Sequence, residues 1–461
     1  MSVLAAFMVP HPPMIVPEIG QGSEEQVRET ARAYERVADE VAALAPDTLI
    51  ITSPHSVMYA DYFHISPGKE ANGSFRRFRA AGVRFSERYD TALVQRICDL
   101  ADAEGLPAGT MGEREAALDH GTMVPLWFIR QKYTAGKIVR IGLSGLPLTE
   151  HYRLGQIIAR AAEETGTRAV LIASGDLSHK LQEYGPYGFA PEGPEYDCRI
   201  MDVCGRAAFG ELFEFDEAFC EKAAECGHRS FVIMAGAFDG LRVKAEVLSH
   251  QDVTGVGYGI CTFYPEGADG ERHFLKIYQE KTERECREKA EKSDAFVRLA
   301  RASVEAWVLR HERISVPEGL PEEMLARRAG TFVSLHRNGS LRGCIGTIMA
   351  VRENVAEEII DNAISACSRD PRFLPVAAGE LAGLEISVDV LGDLEPVASP
   401  DELDVRRYGV IVTHGRKRGL LLPNLDGVDT VADQIRIARR KGGIRESEPV
   451  SLERFEVVRH Y

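Results

Sequence analysis

Three largely apolar runs in the first half of this chain each break off near a histidine. Val3-Leu4-Ala5-Ala6-Phe7-Met8-Val9 leads into Pro10-His11-Pro12-Pro13, and Thr48-Leu49-Ile50-Ile51-Thr52 leads into Ser53-Pro54-His55. Ala169-Val170-Leu171-Ile172-Ala173 leads into Ser174-Gly175-Asp176-Leu177-Ser178-His179. Short apolar runs closed by Pro, Gly and Ser read as buried strands. Between them, Glu24 to Leu44 carries Val27, Tyr34, Val37, Val41 and Leu44 near helical spacing, and His151 to Thr165 reads as a second helix. Strands alternating with helices imply a mostly parallel, layered α/β sheet. In such a sheet, ligands bind beyond the carboxyl ends of the strands. The histidines fall there, and prolines beside His11 and His55 stiffen the backbone as it leaves each strand. Imidazoles gathered at that place point to a metal or an acid–base site.

The chain has 461 residues, 44% of them apolar, enough for two or three domains with cores of their own. Alternation continues to about residue 265 and closes with the strands of Val243 to Tyr264. Pro265-Glu266-Gly267-Ala268-Asp269-Gly270 is turn-rich, and Glu280 to Lys292 is almost entirely charged, so 266–292 reads as a solvated helix or linker. A second unit spans 293–461 and has an α+β pattern. Phe296 to Leu309 and Glu353 to Ser368 read as helices, and Asn338-Gly339 reads as a hairpin turn between Thr331-Phe332-Val333-Ser334-Leu335 and Ser340 to Gly346. Leu384 to Leu391 and Gly409 to Leu422 supply further strands.

The net charge of -15 argues against nucleic acid as a partner. No apolar stretch reaches the roughly 20 residues of a membrane span, and the opening Met1-Ser2-Val3-Leu4 has no charged leader before an apolar core. Nine cysteines without a C-x-x-C pair fit reduced thiols in a cytoplasm.

His11 and His55 are the metal-ligand candidates. His120, in Asp119-His120-Gly121 at a helix start, and His179, after the Ser174-Gly175-Asp176 turn, are candidates for ligand or general acid–base roles. Glu225-Cys226-Gly227-His228 precedes the apolar Phe231 to Ala237. A carboxylate from there would complete the two-histidine, one-carboxylate set of non-haem Fe(II), whereas the Cys226 thiolate would favour a softer metal. Adjacent residues point in different directions, so one of the two reaches the site.

Taken together, Val9-Pro10-His11-Pro12-Pro13, Ser53-Pro54-His55, Leu118-Asp119-His120-Gly121 and Ser174-Gly175-Asp176-Leu177-Ser178-His179 resemble LigB-type (class III) extradiol dioxygenases and their relatives, the Memo proteins. The resemblance covers roughly residues 1 to 265. It implies Fe(II), or another divalent metal, on His11 and His55, with His120 and His179 handling protons and oxygen. It also implies a small catechol-like aromatic substrate and O2. The dioxygenases take their third ligand from a glutamate, matched here by Glu225. Memo proteins have a cysteine followed by glycine, matched by Cys226-Gly227.

In the second unit, Leu341-Arg342-Gly343-Cys344-Ile345-Gly346-Thr347 resembles the signature of the AMMECR family. Read from the residues, Arg342 could bind an anion bidentately. Cys344 could be a nucleophile served by His336 or His414, or a packed thiol in a tight strand. The Arg342–Cys344 segment is thus expected to line a ligand cleft, with Arg342 reaching solvent or an anion. The two units in one chain resemble the AmmeMemoRadiSam system. A radical SAM protein would then be a separate partner, because no C-x-x-x-C-x-x-C motif is present. The oligomeric state is not readable from the sequence.

Overall fold

The computed structural model describes every residue except Met1, Asn338 and Asp426. The chain divides into two compact units, Met1–Tyr278 and Gln279–Tyr461.

In the first unit a mixed sheet contains β1 (Val3–Val9), β2 (Thr48–Ser53), β3 (Lys137–Gly142), β4 (Ala169–Ser174), β5 (Leu241–Gln251) and β6 (Tyr258–Ala268), in the spatial order β3-β2-β4-β1-β6-β5. The first four of that order are parallel, and the β6–β5 hairpin joins antiparallel to β1. Alternate residues of one strand enter two different cores. Ala6 and Met8 face a layer containing the helices α2 (Thr91–Ala103) and α4 (Leu148–Thr165), while Ala5, Phe7 and Val9 face α1 (Arg28–Leu44) and α3 (His120–Lys132). A strand covered on both faces is apolar throughout, which is why these runs lack polar alternation.

The order places β2, β4 and β1 side by side, so that their carboxyl ends open into one crevice. The turn-rich segment at 265 does not end the sheet. β6 continues to Ala268, and its register shifts between Pro265 and Gly267. Proline is tolerated at such an irregularity because it need not donate to the ladder. Residues 280–292 belong to a helix, α7 (Phe274–Lys292). A hairpin of Glu70–Phe75 and Ala80–Arg88 was not legible in the sequence.

The second unit has two antiparallel four-stranded sheets. One contains β7 (Thr331–Arg337), β8 (Ser340–Gly346), β9 (Leu384–Leu391) and β14 (Val457–His460) in the order β8-β7-β9-β14. The other contains β10 (Glu395–Val397), β11 (Gly409–His414), β12 (Lys417–Leu421) and β13 (Ser451–Phe455) in the order β10-β13-β11-β12. Val333, Leu335, Ile386 and Val388 cover one face of the first sheet with α8 (Ala295–Arg310) and α9 (Val355–Ser368). The opposite face carries Ser334, His336, Cys344, Ser387 and Asp389. Of the expected Asn338-Gly339 turn, Gly339 has φ 75°, and Asn338 lies outside the described residues. Among the described residues no helix is long and apolar enough to cross a membrane.

Candidate metal centre

The crevice beyond β1, β2 and β4 holds His11, His55 and Cys226, whose ligand atoms lie within 4.8 Å of one another. His11 Nε2 is 3.0 Å from His55 Nε2 and 3.6 Å from Cys226 Sγ. The thiol arrives from the segment between α5 (Glu192–Gly205) and α6 (His228–Gly236). Its approach depends on two glycines. A Cβ on Gly175 would stand 2.1 Å from Gly227 Cα, so the turn after β4 and the start of α6 cross backbone against backbone. Asp176 N then donates to Cys226 Sγ at 3.3 Å.

Hydrogen bonds around His11 fix which nitrogen is free. Ser174 Oγ donates to Gly121 O at 2.6 Å, so it accepts from His11 Nδ1 at 3.0 Å. His11 therefore carries its proton on Nδ1 and turns the Nε2 lone pair toward His55 and Cys226. An outer partner that sets the tautomer in this way is the usual support of a ligating histidine. Asp176 Oδ1 accepts from His11 N at 2.7 Å, which locks the Pro10-His11 backbone to the β4 turn.

His55 and His120 are held at the crevice by one carboxylate. Asp119 caps α3 by accepting from Thr122 N. It also accepts from Ser53 Oγ at 2.6 Å, and Ser53 Oγ in turn meets His55 N. The His120 ring lies 3.9 Å from that of His55, centroid to centroid, with Phe78 against its other side at 5.3 Å. His179 stacks on Tyr187 at 5.0 Å and places Nε2 3.8 Å from Asp176 Oδ2. Asp176, His179 and Cys226 form a second group with ligand atoms within 4.8 Å.

Electrostatics favour neutral imidazoles here. Burial lowers the pKa of His11, although Asp176 opposes the shift. Burial and then the neighbouring His11 bring His120 down to about 4. Burial raises the Cys226 thiol well above its ordinary value, with Asp176 adding to the shift. Two imidazole lone pairs and a protonated thiol suit a divalent cation, whose arrival would displace the thiol proton.

Glu225 does not join this group. Its carboxylate turns the other way and accepts from His228 N at 2.6 Å, at the start of α6. Exposed helix N–H groups favour an acidic side chain there. The geometry thus places Cys226, not Glu225, beside His11.

In the second unit, Arg342 does not reach out to a ligand as expected. It makes a fork on Glu380 (Nε to Oε2 2.8 Å, Nη2 to Oε1 2.9 Å) and donates to Leu374 O. Its anion is therefore supplied by its own unit. Gly343 is explained by packing, since a Cβ there would meet Ala366 O of α9 at 2.3 Å. Cys344 lines a cavity of about 1520 Å³, and its Sγ accepts from Ser334 Oγ at 3.2 Å. His336 lines the same cavity, while His414 is held on Pro449 O at 2.6 Å. Neither histidine is hydrogen-bonded to the thiol.

Comparison with known proteins matches residues 5–261 to the family described as the catalytic LigB subunit of aromatic ring-opening dioxygenase. The chain belongs to the LigB family. Residues 297–460 match AMMECR1, so an AMMECR1 unit follows the LigB unit. The protein CA_C1420 of Clostridium acetobutylicum is 41% identical over 100% of this chain and 99% of its own length. A Thermotoga maritima protein is 49% identical over 36% of this chain and 96% of its own length. The 2-aminophenol 1,6-dioxygenase beta subunit of a Pseudomonas species is 27% identical over 56% of this chain and 93% of its own length.

Within the LigB unit, sequence reasoning missed Ser174 and Asp119 as positioning groups, and Phe78 and Tyr187 as aromatic walls. Asp119 left one signal, an acidic residue directly before a helix start and three residues before Thr122. The walls left none, because their loops come from distant parts of the chain.

Proposed function

We propose that the LigB unit binds one divalent metal through His11, His55 and Cys226 and cleaves a catechol- or aminophenol-like aromatic ring with dioxygen. The convergence of ligand atoms from His11 and His55, at adjoining strand ends, and Cys226, before α6, within 4.8 Å carries this reading. A metal held by three protein groups keeps open positions, and its chemistry would be to bind the substrate's oxygen or nitrogen and dioxygen side by side. Fe(II) is the first candidate, and the thiol also admits softer ions.

The chain's own residues supply the rest. His120, neutral beside His55, accepts a proton from the substrate hydroxyl at its free ring nitrogen. His179 holds its Nε2 3.8 Å from Asp176 Oδ2 and is assigned the return of the proton. Phe78 and Tyr187 flank the two histidines and form apolar walls for a flat ring. The 2-aminophenol 1,6-dioxygenase subunit supports this substrate class.

One observation favours a second reading. Cys226 stands where a ring-cleaving site of the resembled kind would use a carboxylate. On that reading the unit is a Memo-like metal-binding component of a modification system and works with a separate radical SAM protein, without ring cleavage.

Metal analysis of anaerobically purified protein, followed by catechol and 2-aminophenol oxidation monitored by oxygen uptake, separates the readings. Metal together with ring-cleaved product supports the first, and metal without oxygen uptake supports the second. Absence of metal in the native protein and after reconstitution would overturn both.

A further inference from the structure

The cavity of the AMMECR1 unit contrasts with the rest of the chain. Its lining includes seven Lys or Arg and three Asp or Glu, whereas the whole sequence has 55 of the first kind and 70 of the second. A concave surface with an excess of one sign inside an acidic protein concentrates ligands of the opposite sign. The cations are not all spent on their neighbours. Asp370 takes Nε and Nη2 of Arg372, and Cys344 O also takes Nη2, which leaves Nη1 without a partner among the described residues. Lys441, at the end of α10 (Val431–Lys441), has the Cys344 thiol and the Arg372 guanidinium as its electrostatic neighbours, and no carboxylate among the described residues. The Nε atoms of Arg301 and Arg418, both lining residues, are buried without a hydrogen-bond partner. Buried donors in folded proteins are normally satisfied by protein, water or ligand.

Apolar groups share the lining. Phe332, Ile345, Ile348, Leu420 and Leu422 face the same space. Convergent polar groups beside apolar side chains in one concavity are the pattern of a small-molecule site. Asp370 also accepts from Cys344 N at 2.9 Å, so one carboxylate fixes both the strand bearing the thiol and the guanidinium beside it.

We propose that this cavity binds a small molecule carrying a carboxylate or phosphate on an apolar body. Its anionic end sits between Lys441 and Arg372 beside the Cys344 thiol. Lysine provides a compact charge with rotatable donors, and the free edge of Arg372 provides a directional one. The apolar body lies along Phe332 and Leu420. Arg342, fully engaged by Glu380, takes no part.

Charge-selective alkylation of the intact chain tests this, because Cys344 can report on its own surroundings. Iodoacetate and iodoacetamide react alike, with the thiolate sulfur displacing iodide and the thiol proton passing to solvent, but only the first is an anion. Cys198, which is exposed, serves as the internal reference. Peptide mass spectrometry should show the iodoacetate-to-iodoacetamide rate ratio at Cys344 exceeding that at Cys198 by roughly tenfold, the effect of one or two nearby unpaired cations. Lys441→Met should remove most of that excess. Hexyl phosphate or hexanoate should protect Cys344 from iodoacetamide at lower concentration than inorganic phosphate or acetate. Stronger protection by the phosphate assigns a phosphate ligand, and stronger protection by hexanoate assigns a carboxylate.

Equal ratios at the two cysteines would overturn the proposal. So would a Cys344 inert to both reagents, or no protection by any of the four anions at roughly 10 mM, where even a millimolar ligand occupies its site. The protection arm uses the unaltered chain, so a misfolded variant cannot decide the result.

Discussion

The LigB unit and the AMMECR1 unit present their reactive side chains in opposite ways. In the first, histidines beyond the ends of adjacent parallel strands meet groups from two helix starts, and burial lowers the pKa of His11 and His120. In the second, Cys344 stands on the open face of an antiparallel sheet, and cations outnumber carboxylates around it. A strand-end site takes one side chain from each of several elements, so it suits convergent coordination. A sheet-face site takes alternate residues along neighbouring strands, so it gives a broad floor with charges around the rim. The difference teaches that a metal-type site and an anion-type site can be told apart by placement before any ligand is known.

The sharpest way to break the comparison is to remove a convergent ligand. His11→Ala or Cys226→Ala should reduce bound metal from about one ion per chain to background in elemental analysis, because a set of three cannot lose a member and hold its ion. Glu225→Gln should leave the metal in place, since that carboxylate serves α6. Metal retained in Cys226→Ala but lost in Glu225→Gln would reverse the assignment.

Gly175→Ala should come next in effect. The new methyl group would meet Gly227 Cα, a backbone atom that cannot rotate away. A cost of about 1–3 kcal/mol or more is expected, seen as a lower unfolding midpoint of the LigB unit. An unchanged midpoint would show that the crossing is loose.

Ser174→Ala should weaken metal binding about 10–100-fold while leaving the ligands in place, because the His11 tautomer is no longer fixed. Competition with a chelator measures this, and affinity within a factor of two of the parent would sink the argument.

In the AMMECR1 unit, Arg342→Lys should lower stability by about 1–2 kcal/mol, since an ammonium cannot reproduce the fork on Glu380. Alkylation selectivity at Cys344 should be unchanged. A change in that selectivity would mean that Arg342 helps to form the anion site.

The smallest effect expected is on acid stability. Asp370 is held down at about 2, chiefly by its hydrogen bonds from Arg372. A carboxyl depressed in the folded state stabilises fully above its unfolded value near 4 and loses that contribution as pH falls toward 2. The AMMECR1 unit should therefore weaken between about pH 4 and pH 2, and Asp370→Asn should flatten that dependence. An equal slope in the variant would count against it.

Much of this fold was legible because its strands are buried on both faces and stand out as apolar runs. β1, β2 and β4 appear in the sequence, as do α1, α4, α8 and α9, although their exact ends do not. The order β3-β2-β4-β1-β6-β5 was not readable, since pairing depends on which neighbours the crossovers select. The histidines were legible because a polar residue closing an apolar run is conspicuous. The choice between Glu225 and Cys226 was not, because it rests on the direction each side chain takes at the start of α6. Arg342 misled for a related reason. Its partner Glu380 lies 38 residues away in sequence, in a segment with no local sign of pairing. Arg372 and Lys441 were passed over because nothing near them in the sequence mentions Cys344.

The backbone crossing at Gly175 and Gly227 also bears on when the site comes into being. His11 and Cys226 are separated by 215 positions, and the loop from the β4 turn to the thiol must close before they meet. Contacts so remote in sequence carry their entropic cost before any reward, and they form late. A nascent chain that has emerged only as far as β4 owns both histidines but lacks the sulfur. Were the full set of three to capture an ion, that capture would report that the chain from β1 to α6 has come together, which no single helix or strand of it could give.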